Sequence, residues 1–211
     1  MDVRAARGSV TDIAALRPLY LRELNAQMRY DSVHPRGWSD VYLLHVGHHL
    51  VGYGAVRSQE QVRDTIFEWF VLPPWRDHAT GLFAALVSAS GATLIEAQSN
   101  DPCLYPMAQC WGVDLRPTVY LFEAGPIADL GGPGVVRPRA DGDQPMTRDS
   151  EVGSHVLEID GEIVASGGFL LHYNHPFADV YMDVHEAHRR RGYGARVVAG
   201  VMRACWLAGR I

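Results

Sequence analysis

The sequence predicts an α/β fold laid down twice along one chain, and three observations point there. Apolar hairpins and β-branched strands alternate with helical periodicity from Val3 to Ala208. At 178–196 a strand runs straight into an arginine- and glycine-rich turn and then a helix start. Finally, Gly161–Leu170 falls on Gly47–Val56 at a shift of 114, while Val184 and Arg189 fall on Val71 and Arg76 at a shift of 113. Agreement in both order and spacing favours a duplicated domain over chance likeness of two αβ segments.

In chain order, Val3–Ala6 alternates as a short strand. Thr11-Asp12 caps a helical run that carries Ile13, Leu16, Leu19, Tyr20, Leu24 and Met28, and Pro18 starts a second helix or kinks the first. Val41–Val46 and Leu50–Val56 flank Gly47-His48-His49 as a hairpin, and Ile66–Leu72 is a strand stopped by Pro73-Pro74. A helix over about 77–90 ends at Gly91, Thr93–Ala97 is a strand, a short helix starts at Asp101, and Thr118–Glu123 is a last strand. Residues 125–153 are rich in Gly, Pro and Asp around Gly131-Gly132-Pro133-Gly134, a composition that reads as a linker without packed elements. The expected division is therefore a first copy at 1–124, a linker at 125–153 and a second copy at 154–211. Before His155–Ile159 the second copy has no room for two N-terminal helices, and Gly209-Arg210-Ile211 stops where the first copy enters its next strand. Such an ending points to a truncated chain, a clipped product or a fold completed by a partner.

With 47% hydrophobic and 20% charged residues among 211, the chain can bury a core. It has no apolar run of membrane-helix length and no apolar stretch behind Met1-Asp2-Val3-Arg4. Cys103, Cys110 and Cys205 follow no disulfide or metal spacing, so reduced thiols and a cytoplasmic location are expected. All 19 basic residues are arginine, which excludes a Schiff-base lysine, a phosphate-loop lysine and a lysine base. A net charge of −5 argues against a nucleic-acid partner and leans toward small cations. His45, His48 and His49 straddle a hairpin turn without a carboxylate or cysteine at ligand spacing, so no metal is expected.

Chemistry concentrates in Ala178–Arg196. Gly192 and Gly194 let the backbone turn sharply and approach a ligand without a Cβ in the way. Free N–H groups of a first helical turn, with the helix dipole, suit a pyrophosphate, and Arg189, Arg190 and Arg191 add positive charge. A dinucleotide fingerprint needs three glycines in a first βα unit, which is not the pattern here.

Arg189-Arg-Arg-Gly192-Tyr-Gly194-Ala195, preceded by Val184 on a strand and followed by an apolar helix, resembles the acetyl-coenzyme A signature of the GCN5-related N-acetyltransferases (GNAT). The resemblance implies a GNAT-like mixed sheet flanked by helices, in two tandem copies. It also implies acetyl transfer from acetyl-coenzyme A (acetyl-CoA) to a primary amine of a small molecule or peptide. The matching backbone, Val184, Arg189, Arg190, Arg191, Gly192, Tyr193, Gly194 and Ala195, would grip the pyrophosphate and pantetheine. The first copy reads Arg76-Asp-His-Ala79-Thr-Gly81, with alanine in place of the first glycine and Asp77 beside the phosphate position, so it is expected to be degenerate. The family draws its base from varying places, often a carboxylate on the central strand or its neighbour. Asp183 is the first candidate, then Asp179, with Tyr181 alternating onto the same face, and His172, Tyr173 and His175 just before. The competing reading is that these are solvated edge-strand residues. Glu68 matches a base position only if the first copy catalyses, and no residue is nominated for the family's thiol-protonating tyrosine. A non-catalytic CoA-binding or assembly module is the alternative function, and an unpaired sheet edge in the second copy invites a homodimer.

Overall fold

The computed structural model describes residues 2–24, 27, 33–59, 64–121, 125–127, 129–143 and 153–211. The chain divides into two compact units, with the boundary between Tyr120 and Leu121; Gln27 groups with the second.

The first unit holds a five-stranded mixed sheet in chain order: β1 Val3–Gly8, β2 Ser39–Val46, β3 His49–Arg57, β4 Thr65–Val71 and β5 Leu94–Ile95. Neighbours are antiparallel except β4 and β5, which run parallel. Helix α1, Arg17–Glu23, carries Pro18 in its first turn, where a missing N–H loses no intrahelical bond. Met28, at the end of the expected helical run, lies outside the described residues. Helix α2, Ala79–Ser90, follows a 3₁₀ segment at Pro73–His78 and ends at Gly91 in the left-handed conformation. Helix α3 spans Leu104–Trp111. The two faces of the sheet are covered differently. Leu86 of α2 meets Gly54, and Phe83 packs edge-on to Trp69 at 5.0 Å. On the other face Tyr20 of α1 packs against Tyr53 at 6.1 Å and Phe70 at 5.8 Å. The expected strand at 93–97 shrinks to two residues, and Thr118–Leu121 lies outside any strand, exposing Val119 and Tyr120. The rest of that expected strand, 122–124, lies outside the described residues.

The second unit holds a four-stranded antiparallel sheet: β6 Val135–Pro138, β7 His155–Ile159, β8 Glu162–Leu170 and β9 Asp179–Val184. Helix α4, Tyr193–Leu207, packs Val197 and Val201 on Leu157, Val164 and Ala165. Strand β6 corrects the linker reading of 125–153. Gly132 and Gly134 take positive φ, as their composition suggests, but the β-branched Val135-Val136 pair then joins β7, and Pro138 ends the strand on the sheet edge. Ile211 bonds Pro176 O and receives Ala178 N–H, each at 2.9 Å, alongside the start of β9.

The two sheets share one register. Leu44 pairs with Gly52 and Leu157 with Ala165, both at a displacement of 113; each hairpin carries its irregularity immediately after that leucine. Gly52–Val71, Tyr53–Phe70, Gly54–Trp69 and Ala55–Glu68 become Ala165–Val184, Ser166–Asp183, Gly167–Met182 and Gly168–Tyr181 at the same displacement. The shift of 114 read for the hairpin is corrected to 113. What matches Gly47 (φ +59) is Asp160 (φ +51), because aspartate also tolerates the left-handed region that the turn requires.

Candidate functional site

The turn after β9 is built from three local choices. His185 ends the strand with φ −52 and ψ 136, and a short 3₁₀ turn, Glu186–His188, reverses the chain. The Arg189 Nε–H then donates to Val184 O at 3.1 Å, tying the loop back to the strand end. Arg190 at φ +64 and Gly192 at φ +80 open the backbone before the helix, whose first bond is Arg196 N–H to Gly192 O at 3.3 Å. The amides ahead of it are those a helix start leaves without intrahelical partners. A Cβ built on Gly192 meets no atom within 4 Å. A Cβ on Gly194 would stand 3.0 Å from Met182 Cε, so Gly194 brings the helix start down onto β9. Arg190 and Arg191 are exposed beside the turn. His188 Nε2 lies 3.2 Å from Glu162 Oε1, which fastens the turn to the start of β8. Tyr193 packs on the core of the unit, and Ala195 faces solvent.

The corresponding turn of the first unit begins the same way. Leu72 has φ −53 and ψ 135, and Arg76 Nε–H donates to Val71 O at 3.1 Å. It then diverges. The 3₁₀ segment continues to His78, and Ala79 enters α2 with φ −54 and ψ −46. An alanine disfavours the left-handed conformation that Gly192 adopts, so the chain winds into helix and no open turn forms.

Asp179, Tyr181 and Asp183 do share one face of β9, opposite Leu170, Gly168 and Ser166, while Met182 and Val184 face α4. They do not form a cluster, since Asp179 and Asp183 are four residues apart, roughly 13 Å along a strand. Asp183 Oδ1 accepts from Val184 N–H at 2.8 Å and lies 4.0 Å from Arg189 Nη2, so this carboxylate is turned to the loop. The Tyr181 hydroxyl overlies Gly168, where a Cβ would come within 2.7 Å of it. Asp179 Oδ2 faces His172 Nε2 at 3.5 Å. In the first unit the equivalent face lies under α1. In the second the link from β6 to β7 runs only over 139–154, and its described residues form no helix. Two cavities, of about 430 and 230 Å³, flank α4 on its other side; neither is lined by β9 or by 189–194.

Glu68, displaced by 113 from Tyr181, has a fully buried environment that sequence reasoning missed. Arg17 donates to it through Nε at 3.1 Å and Nη2 at 2.9 Å, and the Tyr53 hydroxyl donates at 3.0 Å. His34 Nε2 stands 3.2 Å from the same carboxylate. Burial pushes the Glu68 carboxyl up, but Arg17 and His34 outweigh it and hold it below its ordinary value. The Tyr53 hydroxyl is pushed well up by burial and by the Glu68 charge. A lone carboxylate inside Ile66-Phe67-Glu68-Trp69-Phe70 was a signal that a buried partner must exist, though not which one.

Hairpin, third strand, glycine turn and covering helix together define the acyl-CoA N-acyltransferase class of mixed α/β fold. Residues 130–209 match the acetyltransferase (GNAT) family. A solved GNAT-family acetyltransferase from Colwellia psychrerythraea superposes with a TM-score of 0.58 at 13% identity, covering 100% of this chain and 87% of its own. A ribosomal-protein-alanine N-acetyltransferase from Brucella melitensis gives a TM-score of 0.43 at 12% identity, over 59% of this chain and 100% of its own. No curated protein matches the chain in sequence. Among the described residues, no group of three His, Cys, Asp or Glu could hold a metal ion, and no helix is long and apolar enough to cross a membrane.

Proposed function

We propose that the chain is an acetyl-CoA-dependent N-acetyltransferase whose second unit binds the co-substrate, the first unit being a degenerate copy of the same domain. The observation that carries this is the open turn at Arg190–Gly192 ahead of α4, with Gly192 at φ +80 and clear space where a Cβ would stand. Backbone amides and the positive helix end fit a diphosphate there, and Arg190 and Arg191 add charge. Bound acetyl-CoA would supply the acetyl group already activated as a thioester. The acceptor is a primary amine, and the half-exposed carboxylates Asp179 and Asp183 on one face of β9 favour one carrying positive charge.

Calorimetric titration with acetyl-CoA tests this, using Gly192→Val against a matched control. Gly161 also has positive φ (+83) and open space, but sits in the turn between β7 and β8. Each valine carries a strain of about 1–2 kcal/mol, so both variants should lose similar stability. Gly192→Val should weaken binding at least about tenfold, and Gly161→Val should leave it unchanged. Absence of heat with the wild type, or equal binding by the two variants, refutes the assignment.

A further inference from the structure

We infer that His172, held by Asp179, is the general base that removes a proton from the acceptor amine; the inference rests on the acetyl-transfer reading of the second unit. His172 follows the end of β8 and Asp179 opens β9, so the sheet itself brings the two together across the connection, with Nε2 3.5 Å from Oδ2. Both are partly open to water, His172 at 23% and Asp179 at 47% side-chain exposure, so an acceptor can reach them. The imidazole rests against the ring of Tyr173 at 4.5 Å, and Tyr173 is buried, which limits how the histidine can turn. Arg210 points its Nη1 at Phe177 O, and among the described ion pairs the Asp179 carboxylate meets His172.

The pair also sits at the right end of the strand. Asp179 and the phosphate-type turn lie at opposite ends of β9, whose six residues reach roughly 17 Å. A ligand anchored at Gly192 and extended along β9 places its far end beside Asp179. This is also the face that α1 covers in the first unit, and among the described residues no helix covers it here.

The chemistry follows from the orientation. Asp179 Oδ2, which faces Nε2 at 3.5 Å, favours the tautomer that carries its proton on Nε2 and so leaves the Nδ1 lone pair as the acceptor. Nδ1 takes one proton from the ammonium. The freed amine lone pair forms the C–N bond to the thioester carbonyl carbon as the C–S bond breaks. The departing thiolate takes the second amine proton through solvent, and His172 passes its own proton to water.

The test uses the full chain with His172→Gln, His172→Ala and Asp179→Asn. Acetyl-CoA binding is measured by calorimetry. Thiol release from acetyl-CoA is followed with spermidine, kanamycin and an alanine-terminated peptide. The ring nitrogens of His172 are read by ¹⁵N NMR without acetyl-CoA. Unchanged binding, kcat lowered roughly 10²–10⁴-fold in both His172 variants, and loss of the acid limb of the wild-type pH–rate profile support the assignment. So does a single Nε2–H tautomer in the wild type that becomes mixed in Asp179→Asn. Full turnover and an unchanged pH profile in His172→Gln overturn it, as does a tautomer indifferent to Asp179→Asn. A wild type that binds acetyl-CoA but acetylates none of the three amines also counts against His172. A wild type that does not bind acetyl-CoA overturns the parent reading instead.

Discussion

Among single residues, Glu68 shows most clearly how the first unit differs from the second. All seven residues of β4 are buried, and a carboxylate there survives because Arg17 presents two donors to it, beside the Tyr53 hydroxyl and His34. Removing one partner strands a buried charge. Arg17→Met should therefore cost about 3–5 kcal/mol, whereas Arg17→Met combined with Glu68→Gln should recover much of that loss. Urea unfolding of the two variants against the wild type measures this. The pH dependence follows from the same pair. Because Glu68 is held below its ordinary value of 4.5, its contribution is complete above that value and fades as pH falls through the folded one. Asp101 acts with the opposite sign, since burial raises its carboxyl in spite of the N–H groups of Leu104 and Cys103. The double variant keeps Asp101 and lacks Glu68. As pH falls below the ordinary value of 4.5, its stability should fall less steeply than that of the wild type. A slope equal to the wild type's would show that Glu68 is not the group responsible.

At the level of elements, glycines set how closely helix and sheet approach. A Cβ on Gly167 would lie 2.6 Å from Val197 Cγ1 and 2.7 Å from Tyr181 O, between α4 and the hairpin. Gly167→Ala should cost about 1–3 kcal/mol by overpacking, and by lifting α4 from β9 it should also weaken acetyl-CoA binding. Thermal unfolding and calorimetry check both; lost stability with intact affinity would show that the turn does not depend on the helix seat. Much of this architecture was legible beforehand. Alternation in Val41–Val46 and Leu50–Val56, the stop at Pro73-Pro74 and the helix start at Gly192-Tyr193-Gly194 all act within a few residues, and each element formed there. Strand β6 was not legible, because the Gly131–Gly134 run around it dominates the local composition, and pairing with β7 decides the outcome. Thr118–Leu121 has strand-forming side chains but no strand, for the converse reason: propensity without a partner does not make a sheet. The same limit governs the site. The turn at 189–194 could be read because one segment carries it, whereas Arg17 meets Glu68 from 51 positions away.

For the whole molecule, two units with one register have reached opposite states. Each has a hairpin, a third strand, and an arginine whose Nε–H closes on the strand end at 3.1 Å. Past that arginine one chain opens at Gly192 and the other winds on through Ala79. The first unit is closed a second time, because α1 lies over the face that bears Glu68 and delivers Arg17 to it, while Arg76 is paired with Glu23. Restoring one feature alone should therefore not restore a ligand site. The full chain is expected to bind one acetyl-CoA, not two, and Ala79→Gly should still bind one, because the 3₁₀ segment Pro73–His78 and the Arg76–Glu23 pair hold the turn wound. Calorimetric stoichiometry decides it. A count of two in the wild type would mean that the wound turn opens for ligand at little cost. A count of two only in Ala79→Gly would mean that a single Cβ, rather than the packing of α1 and the helical turn together, keeps the first unit shut.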